Sequence, residues 1–317
     1  MKVLVAGSLA YDRIMDFPGK FSDNILPDKI HILNVCFTID GLKENFGGTA
    51  GNIAYVLSLF GEKPLIIATA GRDFEPYAIW LDRNNIPSTH IKIIKEELTA
   101  GAYITTDQSD NQITAFNPGA MKHSADFNCD SLSPKNTLAI IAPGNFHDMY
   151  SFSKKFQEKK IRYIFDPGQS LPGWSGEQVS EMMEGSEIFI SNDYELELTQ
   201  DKTALTVRDV LKKTKTLITT KGEQGSLIRM LRNDSEMRIE IPAVKPEKVS
   251  DPTGAGDAYR AGLIKGLLLQ EKNIAHAAKM GAVSATYSIE NYGTQNFTFT
   301  RDEFNKRFQA AFGYEAY

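Results

Sequence analysis

Short apolar runs alternate along this chain with longer stretches in which apolar residues recur every three or four positions. Lys2 to Ala6 reads as a buried strand, and Ile53, Ala54, Val56, Leu57 and Phe60 then fall at helical spacing up to Gly61. Pro64 to Thr69 predicts a second strand, followed by a helix from about Glu75 to Asn84. Further on come strands at Leu138 to Ala142, Ile161 to Phe165 and Glu187 to Ile190, separated by helices near Met149 to Lys159 and Gly176 to Met183. Thr216 to Thr219 and Ser226 to Met230 read as strands as well. Two helices close the pattern, one carrying Ala258, Ala261, Ile264, Leu267 and Leu268 on one side, the other Ala-rich from Ile274 to Ile289. Strand–helix alternation of this kind predicts a parallel sheet covered by helices on both faces.

Two segments break the alternation. Residues 13–46 are polar, contain Pro18 and Pro27, and include strand-like runs at Ile30 to Leu33 and Cys36 to Ile39. Within residues 98–118, Ala102 to Thr106 and Gln112 to Phe116 flank the polar turn Asp107 to Asn111, which predicts a hairpin rather than a strand–helix unit. Long excursions from a compact domain are often functional lids. Together the two should form a small sheet over the site. No repeat, low-complexity tract or interdomain linker appears, so residues 1–317 read as one α/β domain.

Composition narrows the function. Hydrophobic residues at 42% and charged residues at 24% suit an ordinary globular core. A net charge of −5, without a basic tract, argues against nucleic acid and anionic membranes as partners. Cys36 and Cys129 are too few for a disulfide framework or a thiolate metal site, which fits a cytoplasmic setting. The apolar run after Met1 is too short for a signal peptide, and no stretch reaches the length of a membrane span.

The chemistry concentrates in Asp251-Pro252-Thr253-Gly254-Ala255-Gly256-Asp257 at the start of a helix. Small residues there let a ligand approach backbone amides that lack intrahelical partners, and the helix dipole favours an anion at that end. Asp257 stands in the first turn, where the same field should keep its carboxylate ionised, able to take a proton from an attacking alcohol. Asp12 follows the end of the first strand, where ligands of open α/β sheets bind, although a turn or capping role fits it equally. Asp73 reads as structural, or at most near the substrate; Asp166, at a strand end, reads first as a turn residue before Pro167 and otherwise as a group facing the site. Asn192 and Glu195 share one side of a turn, with oxygens suited to Mg²⁺ through water. Thr220-Lys221-Gly222-Glu223-Gln224-Gly225 is a glycine-bearing turn after a strand.

Gly47-Gly48-Thr49-Ala50-Gly51-Asn52 ahead of a helix, then Asn192 to Glu195, Thr220 to Gly225 and Gly254 to Asp257, resemble in that chain order the signatures of the ribokinase-like (PfkB) family of sugar and nucleoside kinases. The resemblance spans nearly the whole chain. It implies a Rossmann-type three-layer fold with a mainly parallel sheet and a small β-sheet lid. It also implies ATP-dependent phosphorylation of a hydroxymethyl group, with ATP and Mg²⁺ as cofactors. Gly254, Ala255 and Gly256 would form the anion hole and Asp257 the catalytic base. Asp12, Gly48 and Asn52 would hold the acceptor. Asn192 and Glu195 would organise magnesium and phosphate. Asn192, Thr220, Lys221, Gly222 and Gly225 would flank the nucleotide, together with Gly254 and Gly256. In some relatives the backbone near Asp251 and Thr253, with residues 291–294, holds a monovalent cation such as K⁺. Tyr259, where Phe is usual, and Pro252 depart from the pattern without touching the reactive residues.

Two strings, Phe46 to Tyr55 and Asn111 to Phe116, look most like bacterial members of the family called adenosine kinases. That implies a nucleoside acceptor, adenosine going to AMP, with Phe116, Phe37 and Ile39 forming an apolar slot for the base. A ribokinase- or fructokinase-like sugar kinase is the alternative, and a catalytically silent binding protein on the same fold a further one, against which intact Asp257 and Glu195 argue. A dehydrogenase is disfavoured, because no Gly-x-Gly-x-x-Gly follows the first strand, and no Walker A string occurs. A monomer or homodimer is expected.

Overall fold

The apolar runs become strands, and nine of them lie side by side. In this computed structural model, which describes residues 1–109, 111–269 and 273–317 except the Lys29 side chain, the strands are β1 (Lys2–Ala6), β2 (Ala10–Asp16), β3 (Leu42–Gly47), β4 (Leu65–Gly71), β5 (Ile91–Ile94), β6 (Ala100–Thr106), β7 (Gln112–Asn117), β8 (Thr137–Ile141), β9 (Arg162–Phe165), β10 (Ile188–Asn192), β11 (Thr216–Thr220), β12 (Ser226–Arg232) and β13 (Ser235–Ile241). The α-helices are α1 (Phe21–Asn24), α2 (Thr49–Leu59), α3 (Glu75–Arg83), α4 (Phe146–Glu158), α5 (Gly176–Met183), α6 (Asp193–Thr203), α7 (Val207–Lys213), α8 (Ala255–Leu268), α9 (Ile274–Ile289) and α10 (Arg301–Phe312).

The large sheet runs β13-β12-β11-β10-β9-β8-β1-β4-β5. Its strands from β5 to β11 pair in parallel, and β12 and β13 add an antiparallel edge. Alternation along β1 feeds two cores. Val3 and Val5 pack with α2, α8, α9 and α10 on one face; Leu4 and Ala6 pack with α4, α5 and α7 on the other. Strand order departs in both directions from β1, whose neighbours are β4 and β8. Such a switch point leaves a crevice beyond the strand ends.

A second sheet, ordered β3-β2-β6-β7, covers that crevice. Its register is tied to the body by Asp73, whose Oδ1 accepts from Thr99 N at 2.7 Å and whose backbone carbonyl accepts from Tyr11 Oη at 2.9 Å. The expected strands at residues 30–33 and 36–39 do not form. Pro27–Ile32 is a 3₁₀ turn and residues 33–39 carry no regular structure. These residues have no strand partner among the described residues, and Ile30 and Ile32 stand about two-thirds exposed, at 65% and 67%. The strands of this segment are β2 and β3 at its two ends, where Ala10 to Met15 pair with Leu42 to Gly47. The β6–β7 hairpin does form. Asp107 pins its turn through bonds from Ser109 N and Asn111 N, while Asp110 lies outside the described residues.

Candidate active site

The ends of five parallel strands meet at one cavity of about 790 Å³. Ser8 follows β1, Gly144 follows β8 and Asp166 follows β9, while Asn192 and Thr220 are the last residues of β10 and β11. The small sheet roofs it. Asp12 on β2 pairs with Ala102 on β6, and Ala102 pairs with Phe116 on β7. Residues directly opposite in a sheet share a face. Asp12, Ala102 and Phe116 therefore line one wall together, joined by Ala10 two residues before Asp12.

Side-chain caps close the N-termini of α4, α5, α6, α7, α9 and α10. Two of the helices that start on the cavity wall, α2 and α8, begin instead at glycines with positive φ and no side-chain cap: Gly48 (φ 85°) and Gly254 (φ 79°). A Cβ on Gly48 would sit 2.6 Å from the Ser8 carbonyl oxygen, so only glycine fits there. In α8, Ala255 N bonds the Pro252 carbonyl at 3.2 Å. The amides of Gly256 and Asp257 meet no acceptor among the described residues, which narrows the expected anion hole to those two.

Asp257 stands on the cavity wall with Asn52 Nδ2 donating to its Oδ2 at 2.8 Å. The helix end is expected to keep this carboxylate ionised at neutral pH; burial narrows the margin. It raises the carboxyl to about 6, against the pull of the Arg260 guanidinium and the Asn52 bond. Burial, and then the neighbouring Asp251, likewise raise Asp12 to about 6.

Sequence reasoning missed Arg260. It lies one helical turn beyond Asp257 and lines the cavity. Its Nη2 donates to Asp166 Oδ1 at 2.7 Å, with Nε against Oδ2, so Asp166 faces the site, the second of its two expected roles, as a buried ion-pair partner rather than a turn residue. Burial opposes the Arg260 charge, and Asp166, Asp257 and Glu195 more than restore it. Burial pushes the Asp166 carboxyl up and Arg260 pulls it back; the two-point contact marks an ionic pair. Only its spacing from Asp257 could have flagged Arg260.

Asn192 and Glu195 form a reciprocal capping box for α6: Glu195 N donates to Asn192 Oδ1 at 2.7 Å, and Asn192 N to Glu195 Oε2 at 2.8 Å. Both also line the cavity, and burial raises the Glu195 carboxyl. Of the glycine-bearing turn, Thr220 reaches the cavity wall. Lys221, Gly222 and Gly225 lie just outside it, with Lys221 N bonded to the Gly225 carbonyl at 2.8 Å. Among the described residues no group of three His, Cys, Asp or Glu is set to hold a metal. Asp251 accepts from Thr253 N and Gly293 N, drawing the 251–253 and 291–294 loops together.

Of the three residues expected to form the apolar slot, Phe116 lines the cavity, but Phe37 packs against Phe17 and Phe21, at 4.7 and 5.2 Å between ring centroids, and neither it nor Ile39 lines the wall. Met121 and Phe146 add apolar lining that the sequence reading did not name. Both follow irregular segments whose position depends on the tertiary fold, so no local pattern marks them.

The family model described as pfkB family carbohydrate kinase matches residues 25–301. The chain belongs to the pfkB family. Like other pfkB members it is a kinase, transferring a phosphoryl group to an alcohol. A nucleoside kinase of Methanocaldococcus jannaschii is 31% identical over 278 residues, covering 87% of this chain and 89% of that protein. The structure of the Burkholderia thailandensis nucleoside kinase in complex with inosine superposes with a TM-score of 0.85 at 36% identity, covering 99% of both chains. That of the M. jannaschii nucleoside kinase, an archaeal member of the ribokinase family, gives 0.86 at 30% identity over 98% of this chain and 99% of that one.

Proposed function

We propose that this protein is an ATP-dependent nucleoside kinase that phosphorylates the 5'-hydroxymethyl group of a purine nucleoside, adenosine first among them. The observation that carries the reading is the placement of Asp257 between two differently built halves of one cavity. On one side stand the open amides of α8, Thr220 and the Asn192–Glu195 box, suited to a triphosphate. On the other stands a wall with both polar and aromatic groups, Asp12 and Asn52 beside Phe116. A sugar needs only the first pair; a base needs an aromatic face as well. The related B. thailandensis enzyme, solved with inosine, supports the same assignment.

In this reading Asp12 and Asn52 hold the ribose hydroxyls, and Phe116 stacks on the base. Asp257 takes the proton of the 5'-hydroxyl as its oxygen attacks the γ-phosphorus. A base titrating near 6 is mostly ionised at neutral pH yet basic enough to accept that proton. The amides of Gly256 and Asp257, with Arg260 beside them, stabilise charge on the transferred group. Mg²⁺ arriving with the nucleotide would supply charge neutralisation across the phosphates. The donor set fits such a carried ion: the capping box engages Asn192 Oδ1 and one Glu195 oxygen, leaving the other carboxylate oxygen of Glu195 to meet it through water. A monovalent cation such as K⁺ would have to rest on carbonyls of the 251–253 and 291–294 loops, since both Asp251 oxygens are engaged by amides.

The test is ADP release with adenosine, inosine, ribose and fructose, in wild type and Phe116→Ala. A nucleoside kinase prefers the nucleosides, and losing a stacking face worth roughly 1–3 kcal/mol lowers their kcat/KM by about 5–150-fold. A free sugar as the better substrate, or an equal loss for every acceptor, overturns the nucleoside reading in favour of a sugar kinase.

A further inference from the structure

Behind Asn52, away from the cavity, a chain of buried amides and rings has a direction. Its members are Gln295, from the segment between α9 and α10, and Trp80 and Tyr77, one turn apart on α3. Trp80 Nε1 donates to Gln295 Oε1 at 2.9 Å. Gln295 Nε2 donates to Asn52 Oδ1 at 3.0 Å and to Tyr77 Oη at 2.8 Å. Tyr77 Oη donates to the Gly47 carbonyl at 2.8 Å. Asn52 Nδ2 then donates to Asp257.

Primary amides can usually turn over and exchange donor for acceptor. These cannot. An indole N–H only donates, so the Gln295 atom facing Trp80 must be its oxygen. A backbone carbonyl only accepts, so the Tyr77 hydroxyl gives its proton to Gly47 and takes one from Gln295. Both ends thus impose the same orientation on Gln295. That orientation in turn obliges Asn52 to show its oxygen to Gln295 and its NH₂ to Asp257.

The surroundings hold the anchors still. Trp80 stacks between Phe46 and Tyr55, with ring centroids 5.6 and 5.7 Å away and planes within 23°. Tyr77 and Gln295 are buried almost completely, at 0% and 1% exposure. Gly51 leaves the space in which they meet, since a Cβ there would collide with Tyr77 Oη. A buried network with every member satisfied in one direction specifies a single arrangement.

We propose that Trp80 and Gln295 are positioning residues for Asp257, acting through Asn52 to present an N–H donor, and never a carbonyl, to its carboxylate. This rests on the reading of Asp257 as the base only for its consequence in turnover; the orientation of Asn52 stands apart from it. The other groups facing Asp257 are Arg260 on its own helix, Asp166 after β9, Asp12 on β2 and Tyr77 itself. Burial opposes the ionised form most, Arg260 and then the Asn52 donor favour it, and the two carboxylates add to the opposition.

The experiment titrates Asp257 in the substrate-free protein by ¹³C NMR of labelled Asp carboxyls, alongside the pH profile of kcat/KM. The variants are Gln295→Met, which keeps the volume and removes the amide, and Trp80→Phe, which keeps the ring and removes the N–H. Gln295→Met is expected to move the Asp257 midpoint up by about one pH unit, the scale of a lost hydrogen bond to a charged group, and Trp80→Phe to move it the same way by less, because Tyr77 still orients the amide. The double variant should move it no further than Gln295→Met alone, because both act through one bond. A role in packing only would lower kcat at every pH and leave the midpoint in place. An unmoved midpoint in both single variants, or additive shifts in the double, overturns the proposal. If the NMR midpoint moves while the acid limb of kcat/KM does not, the relay stands and Asp257 is not the base. Should Gln295→Met fail to fold, Trp80→Phe carries the same reading.

Discussion

Asp257→Asn should make the protein more stable at neutral pH while disabling it. A carboxyl raised on folding binds its proton more tightly in the folded than in the unfolded state. Its ionisation therefore costs stability as pH rises. Asp257 goes from an ordinary 3.8 to about 6, a difference of roughly two pH units at about 1.4 kcal/mol each, or about 3 kcal/mol. Cavity water still reaches part of this side chain, so about 1–3 kcal/mol is the range expected. Asn keeps the shape and can still accept from Asn52 Nδ2 through Oδ1, so the Asn52 bond survives. The sign is specific. Below pH ~4 the carboxyl is protonated in both states and the two proteins should unfold alike. The advantage of the variant should appear between pH ~4 and ~6 and stay constant above that. Urea unfolding or thermal melts at half-unit steps from pH 4 to pH 8 measure it directly, as a few degrees in Tm at the upper end. A variant less stable than wild type at pH 8, or a difference that does not change with pH, would refute the desolvation argument.

Glu195→Gln can retain the α6 capping box, since Gln Oε1 still accepts from Asn192 N, but it removes the charge. It should raise the Mg²⁺ needed for half-maximal rate and lower kcat with no loss of Tm at neutral pH, since burial already opposes the Glu195 charge; an unmoved magnesium dependence would leave the pair as a helix cap alone. Gly254→Ala forces a methyl group into φ 79° and to 2.7 Å from Thr294 Cγ2. A loss of about 1–3 kcal/mol in stability together with a fall in kcat is expected, checked by melts and steady-state rates.

The large sheet was legible because its parallel strands are buried on both faces and read as continuous apolar runs, as in Val-Leu-Val-Ala of β1. The Gly254–Asp257 stretch was legible for a different reason: an uncapped helix start leaves its mark in the glycines themselves. The lid was harder. The apolar residues of 30–39 invited strands, yet what fixes β2 and β3 is pairing between segments some thirty residues apart, invisible to local alternation. β13, with its mostly exposed face, and α10, whose polar residues outnumber its apolar ones, escaped for want of a continuous run. Phe146 reaches the cavity and Gln295 reaches Asn52 through tertiary contacts alone, and Arg260 was marked only by its spacing from Asp257. The raised Asp257 carboxyl could not be read in the sequence either, since burial under distant segments is its main cause.

The central claim is that Asp257 removes the proton from an alcohol bound beneath the small sheet. Its most direct test pairs turnover with binding in one variant: nucleoside-dependent ADP release at saturating ATP and Mg²⁺ for wild type and Asp257→Asn, with nucleoside affinity measured by calorimetry on the same samples. Loss of a general base predicts a fall of roughly 10²–10⁴-fold in kcat with Kd within a few-fold of wild type. Turnover within tenfold of wild type would contradict it.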